Sequence, residues 1–327
     1  MLGIRRREFI TVLGSAAAWP LAVRAQQPKR VGVLINGTED DSENSMVVAA
    51  FRRGFEKLGW FEGRNIHLDI RFAANADQFQ PLAKEIVALQ PAAILAHSTP
   101  VVAAVKRESR TIPIVFTSVS DPIGSGFIAS LSRPGGQTTG FLLYEDGIVG
   151  KWLAMLKEIA PSLKRAALIA NPKNTPYDYF LRSAQAAVPR LGIEVVTSQI
   201  ENVAAIERTI SSFASTSNGG LVFLPDASVL ASRDLVVALA GRYRLPAVYF
   251  YRAFVIAGGL MSYDIDRVEL FSQAAGYVDR ILRGARPSDL PVKSSTKFEL
   301  IINLKTAKAL GLDVPATLLA RADEVIE

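Results

Sequence analysis

From Arg30 onward the chain alternates short apolar runs with amphipathic stretches, and few architectures accommodate that rhythm. The runs are RVGVLI, NIHLDIRFA, AAILAHS, IPIVFTS and TTGFLLY, then RAALIAN, IEVVTSQ, GLVFLPD, PAVYFY and GLMSYD. Between them lie stretches such as MVVAAFRRGFEKLG and FQPLAKEIVALQ, whose apolar residues recur at helical spacing. Strands that read as nearly continuous apolar runs, alternating with helices, belong to parallel sheets covered on both faces. The pattern therefore predicts an α/β chain of βαβ units. Ten such units are too many for one comfortable core, so 327 residues are expected to form two Rossmann-like lobes. The expected division is residues 28–144 plus about 252–290 for one lobe and 145–251 plus about 291–327 for the other. The chain would cross near residues 144–147, 251–252 and 288–294. Glycines in KLGW, RLGI and ALGL sit where helices need a left-handed stop.

In open parallel sheets, ligands lie beyond the carboxyl ends of the strands. Those ends supply Asn36, then His97-Ser98-Thr99-Pro100, then Ser118, Ser120 and Asp121. The second half supplies Asn171, Asp226 and Tyr251. Hydroxyls, amides and aromatics dominate, so the expected site binds rather than cleaves. In HSTPVVAAVKRES a helix starts behind Ser98, Thr99 and Pro100. Its free N–H groups and positive dipole end would hold a carboxylate, or the hydroxyls simply cap a surface helix; the stretch alone favours neither. Asp226 divides equally between capping a helix and pairing with a ligand ammonium. Tyr249, Phe250 and Tyr251 lean towards packing. His67 belongs on an outward or edge position of an alternating strand, and His97 is either structural or a ligand contact.

Other chemistries lose their footing in the composition. With no cysteine there is no disulfide framework, thiolate catalysis or iron–sulfur ligation, and two histidines cannot build a His-based metal cluster. GSGFIA matches the dinucleotide pattern G-x-G-x-x-A, but Asp121-Pro122 separates it from the strand and Arg133-Pro134-Gly135-Gly136 ends any helix too soon. No P-loop, G-x-S-x-G or H-E-x-x-H occurs. Neither a cofactor nor a metal is expected. Of the net charge of +6, three units come from the first 25 residues, which hold four arginines and one glutamate. The remainder is spread without a basic run, so nucleic acid is not an expected partner.

The opening segment explains those arginines. Arg5, Arg6 and Arg7 precede an apolar run from Thr11 to Leu21, and Val23-Arg24-Ala25 offers small residues at a cleavage site. The run is shorter than the roughly 20 residues a spanning helix needs. Arg6-Arg7-Glu8-Phe9-Ile10 follows the twin-arginine pattern. Residues 1–25 are thus expected to be an export signal, cut near Ala25, which places the mature chain in the periplasm.

Several long segments resemble the substrate-binding proteins of bacterial ABC importers whose better-known members bind aromatic amino acids. The resemblance rests on RVGVLINGT, GFEKLGWFEGRNIHLDIRFA, IPIVFTSVSDPIGSGFIASLSRPGGQTTGF, LPAVYFYRAFVIAGGLMSYD and KFELIINLKTAKALGL. It implies a type I periplasmic-binding-protein fold whose two lobes close on a small-molecule ligand. It also implies delivery to an inner-membrane ABC permease, and a non-enzymatic, monomeric protein. The expected cage is Asn36, Ser98, Thr99, Ser118, Ser120 and Asp121 from one lobe, with Asn171, Asp226 and Tyr251 from the other. A sensor for a membrane signalling partner, or a periplasmic enzyme in the same cleft, are the alternatives. This chain departs from its relatives at Ala253 and Ile256, where acidic residues are common, and at Asp264, where glycine is common. Loss of those acids weighs for a simple or aromatic carboxylate over an amino acid.

Overall fold

The computed structural model describes residues 28–327, so the expected export signal lies outside the described residues. All ten apolar runs contain a strand. The first lobe runs β1 (Lys29–Asn36), α1 (Ser42–Lys57), β2 (Ile66–Ala73), α2 (Phe79–Ala88), β3 (Ala93–His97), α3 (Thr99–Glu108), β4 (Ile114–Val119) and β5 (Thr138–Leu142). These strands form an all-parallel sheet in the order β2-β1-β3-β4-β5. The chain leaves β5 for α4 (Ile148–Ile159) and a second sheet built from β6 (Arg165–Ala170), α5 (Tyr177–Leu191), β7 (Glu194–Gln199) and α6 (Val203–Ala214). It continues through β8 (Gly219–Phe223), α7 (Ala227–Ala231), α8 (Arg233–Arg242), β9 (Ala247–Tyr249), α9 (Arg252–Ile256) and β10 (Met261–Ile265).

Strand β10 pairs with β9, so the second crossing comes at Asp266, after β10, and not at residues 251–252. Helix α10 (Arg267–Leu282) then returns to the first lobe and packs on α1. The approach is close enough that a Cβ on Gly54 would lie 2.7 Å from that of Ala275, which is why glycine stands there. Lys293 then runs beside β5, exchanging backbone bonds with Gly140 and Leu142. Beyond it, β11 (Phe298–Asn303) joins the second sheet antiparallel to β10, and β12 (Glu324–Ile326) closes its edge. Gly192 and Gly311 end α5 and the helix after β11 with φ of 60° and 71°.

Strands β3, β4, β5 and β8 are buried on both faces, as their apolar runs require, every residue of them being buried, whereas β2 and β7, at sheet edges, are partly exposed. Between the lobes Trp152 is fully buried, its indole N–H donating to the Tyr263 carbonyl at 2.8 Å and its ring meeting Tyr144 edge-on at 5.2 Å. Tyr144 in turn donates to the Phe250 carbonyl (3.0 Å) and Asp264 Oδ1 (2.7 Å). The crossing segments are thus knit by aromatic packing and buried hydrogen bonds.

Candidate functional site

The carboxyl ends of β1, β3 and β4 face those of β8 and β9 across a cavity of about 110 Å³. Asn36, Ser98, Thr99, Ser118 and Ser120 line it from the first lobe, and Asp226 and Tyr251 from the second. Seven of the nine expected residues are therefore brought together.

The β3–α3 junction is the most unusual backbone in the site. Ser98 has φ 88° and ψ 154°, and Ser118, at the end of β4, has φ 58°. Both are non-glycine residues in the left-handed half of the map, where strain of about 1–3 kcal/mol each persists only if the surroundings impose it. Ser98 is pinned by its N–H to the Thr117 carbonyl (2.9 Å) and by its carbonyl to Val102 N–H (3.1 Å). Its side chain makes no capping bond. The Oγ atoms of Ser98 and Ser118 and Nδ1 of His97 are buried without a partner among the described residues. A surface helix cap would have used the hydroxyl on its own backbone. The Ser98 hydroxyl is thus not spent on capping α3.

His97 is buried, lies edge-on to Phe271 at 5.4 Å, and its pKa is pushed down to about 3 by burial and then by Arg267. It is a neutral imidazole against the cavity. Phe250 and Tyr251 line the cavity, whereas Tyr249 is core, stacked between Phe223 and Phe254 at 5.1 and 4.9 Å.

Two expected residues fall elsewhere. Asp121 accepts from Gly124 N–H at 2.7 Å and faces a neighbouring cavity with Glu145 and Tyr179. It shapes the GSGFIA turn, where a Cβ on Gly124 would come within 2.2 Å of its carboxylate, and no helix follows the glycines. Asn171 is buried, its Oδ1 accepting from Lys173 N–H and its Nδ2 donating to the Glu201 carbonyl, so it builds its own loop. Asp226 reaches the cavity and is held in place by backbone donors. Its Oδ1 accepts from Ser228 and Val229 N–H (2.7 and 3.0 Å), and its Oδ2 from Asn171 N–H and Thr175 Oγ1 (2.9 and 3.1 Å). The Thr175 hydroxyl proton lies closer to the Pro225 carbonyl, at 2.6 Å, so three backbone N–H groups are what hold the carboxylate. Capping α7 is its role. Ile256 is 63% exposed on α9 and is not among the residues lining the cavity, so its identity says nothing about the ligand.

The sequence reading missed Glu43 and Arg267. Asp41 caps α1, accepting from Glu43 N–H at 2.8 Å, and this turns Glu43 into the cleft. Arg267, the first residue of α10, donates from Nε to Asp264 Oδ2 at 2.9 Å and lies 3.4 Å from Glu43 Oε1. Its guanidinium stacks 4.7 Å from the Tyr251 ring centre. Burial pushes the Glu43 carboxyl up to about 7, with Arg267 pulling against it. Neither stands out in the residue order: Asp264 and Ile265 close β10 and Asp266 caps α10, so Arg267 reads as an ordinary first-turn residue.

A family model described as ABC transporter substrate binding protein matches residues 31–326. A curated protein of Clostridioides difficile (strain R20291), the tyrosine-binding protein, is 28% identical over 264 residues, 80% of this chain and 75% of that protein. A conserved domain protein from Vibrio cholerae superposes with a TM-score of 0.83 at 25% identity, covering 91% of this chain and 99% of that one. A streptococcal ABC domain in complex with L-Trp superposes at 0.84 with 21% identity, covering 91% and 100%, a likeness of fold.

Proposed function

Because the chain belongs to the ABC transporter substrate-binding protein family, we propose that it is the exported solute receptor of an ABC importer. It captures a small carboxylate-bearing molecule between its lobes and presents it to an inner-membrane permease. The observation that carries this reading is the strained β3–α3 junction, with unpartnered Ser98 and Ser118 hydroxyls set beside the free N–H groups of a helix start. Ser98, Thr99 and Ser118 hold the carboxylate. Val47, Leu230 and Phe250 offer an apolar wall to the remainder of the solute. Since the cavity is walled by both lobes, only the closed arrangement gives the ligand all its contacts, and ligand therefore stabilises closure. The protein acts as a monomer and alters no bond of its cargo.

The likeness to the tyrosine-binding protein supports an amino acid as one class of solute, and the donor-rich first lobe accommodates aromatic and simple carboxylates as another. A thermal-shift screen of amino acids, aromatic acids and dicarboxylates on the mature chain tests the reading. A solute at 100 times its Kd adds about 2.7 kcal/mol and raises the melting temperature by several degrees. A screen in which no carboxylate moves the midpoint contradicts it. Export through the twin-arginine route places the mature chain in the periplasm. A reporter fused to residues 1–27 should lose export on Arg6→Lys with Arg7→Lys; export that ignores both changes points to the general route.

A further inference from the structure

The carboxylate site on the first lobe uses neutral donors, yet the cavity also carries one buried cation. Among the lining residues Arg267 is the sole lysine or arginine, and it enters from the crossing segment. Its placement is over-determined. Asp264 holds Nε at 2.9 Å, Glu43 lies 3.4 Å from the same nitrogen, and Tyr251 stacks on the guanidinium plane at 4.7 Å. Asp264 and Glu43 both approach Nε, the inner nitrogen of the guanidinium.

Asp264 does not depend on Arg267 alone: Tyr144 O–H and Ile265 N–H both donate to its Oδ1 at 2.7 and 2.8 Å. Glu43 is largely protonated below neutrality, so the group as a whole is close to electrically neutral there and does not repel an anion. A second feature of the same wall points to a ligand. His97 Nδ1 and Ser118 Oγ are over nine-tenths buried and unpartnered among the described residues, and the His97 ring touches Phe271, one turn beyond Arg267.

We infer that Arg267 is a second anion anchor in the cleft, so that the preferred solute carries two acidic groups, one on the α3 start and one on this guanidinium. The inference rests on the solute-capture reading and narrows it from carboxylates in general to diacids, acidic amino acids included.

Calorimetric titration of the mature chain with two matched pairs tests it: phthalate against benzoate, and L-glutamate against L-norvaline. The diacid should bind at least about ten-fold more tightly in one pair or both, the size of one charge-assisted fork. Arg267→Met alone would strand Asp264 and could unfold the chain, so Arg267→Met with Asp264→Asn removes both charges together. This double variant should lower diacid affinity at least about ten-fold more than mono-acid affinity, a selective change that general damage to the fold would not produce. Arg267→Lys should recover part of the preference. Mono-acids binding as well as diacids, or a preference that survives the double variant, overturns the inference and leaves solute capture standing. Binding by none of the four probes overturns the inference too, and with a negative thermal screen it takes the underlying reading with it.

Discussion

Ser98→Ala combined with Thr99→Ala should weaken a carboxylate solute by roughly 100- to 10,000-fold, while the melting temperature of the ligand-free protein stays within a degree or two. Each hydroxyl bond to a carboxylate is worth about 1.5–3 kcal/mol, and the backbone N–H groups behind Pro100 remain to hold the rest. The fold should not notice, because Ser98 Oγ makes no hydrogen bond within the protein. A companion change sharpens the argument. Ser98 sits at φ 88°, so Ser98→Gly relieves strain and should stabilise the empty protein by about 1 kcal/mol while still costing affinity. Calorimetry and thermal melts on the same three proteins decide it. Full affinity in the double variant would remove the proposed carboxylate site.

The second large effect is a pH dependence of stability governed by Glu43. Its carboxyl has an ordinary value of 4.5 and stands at about 7 in the folded protein, chiefly through burial. Between those values the folded state binds a proton that the unfolded chain does not. Stability therefore falls as pH rises from about 4.5 to about 7, by up to about 3 kcal/mol, and then levels off. Other titrating groups add their own slopes, so the comparison that isolates this one is Glu43→Gln, which cannot ionise. Urea melts from pH 4.5 to 8 should show the falling component in the natural protein and its loss in the variant. Equal slopes in the two proteins would mean that Glu43 is solvated and does not lie in the dry cluster with Arg267 and Tyr251.

Much of this was legible in the residue order. Every apolar run contains a strand, and runs such as AAILAHS and GLVFLPD are continuous because a strand covered on both faces has no polar side to show; HSTP announced a helix start because Pro100 fits only the first turn. Strand-end logic also found Asn36, Ser118 and Ser120. What it could not supply was the direction of side chains whose backbone neighbours compete for them. Asp226 and Asn171 look like ligand donors in a linear sequence, yet Asp226 Oδ2 is consumed by the Asn171 N–H, a partner 55 positions away. Arg267 and Glu43 were invisible for the opposite reason. Charged residues near helix starts are ordinary, and only the return of α10 against α1 turns two of them into the cleft. The second crossing was misplaced because β10 follows a short helix and a turn, which mimic a departure from the sheet.

Small-angle scattering of the mature chain with and without a solute that raises its melting temperature tests the two-lobed capture most directly. A solute gripped by Ser98 and Thr99 on one side and by the Tyr251 wall on the other should shorten the radius of gyration and the longest interatomic distance together. Identical scattering curves at saturating solute, with binding verified by calorimetry in the same sample, would contradict capture by closure.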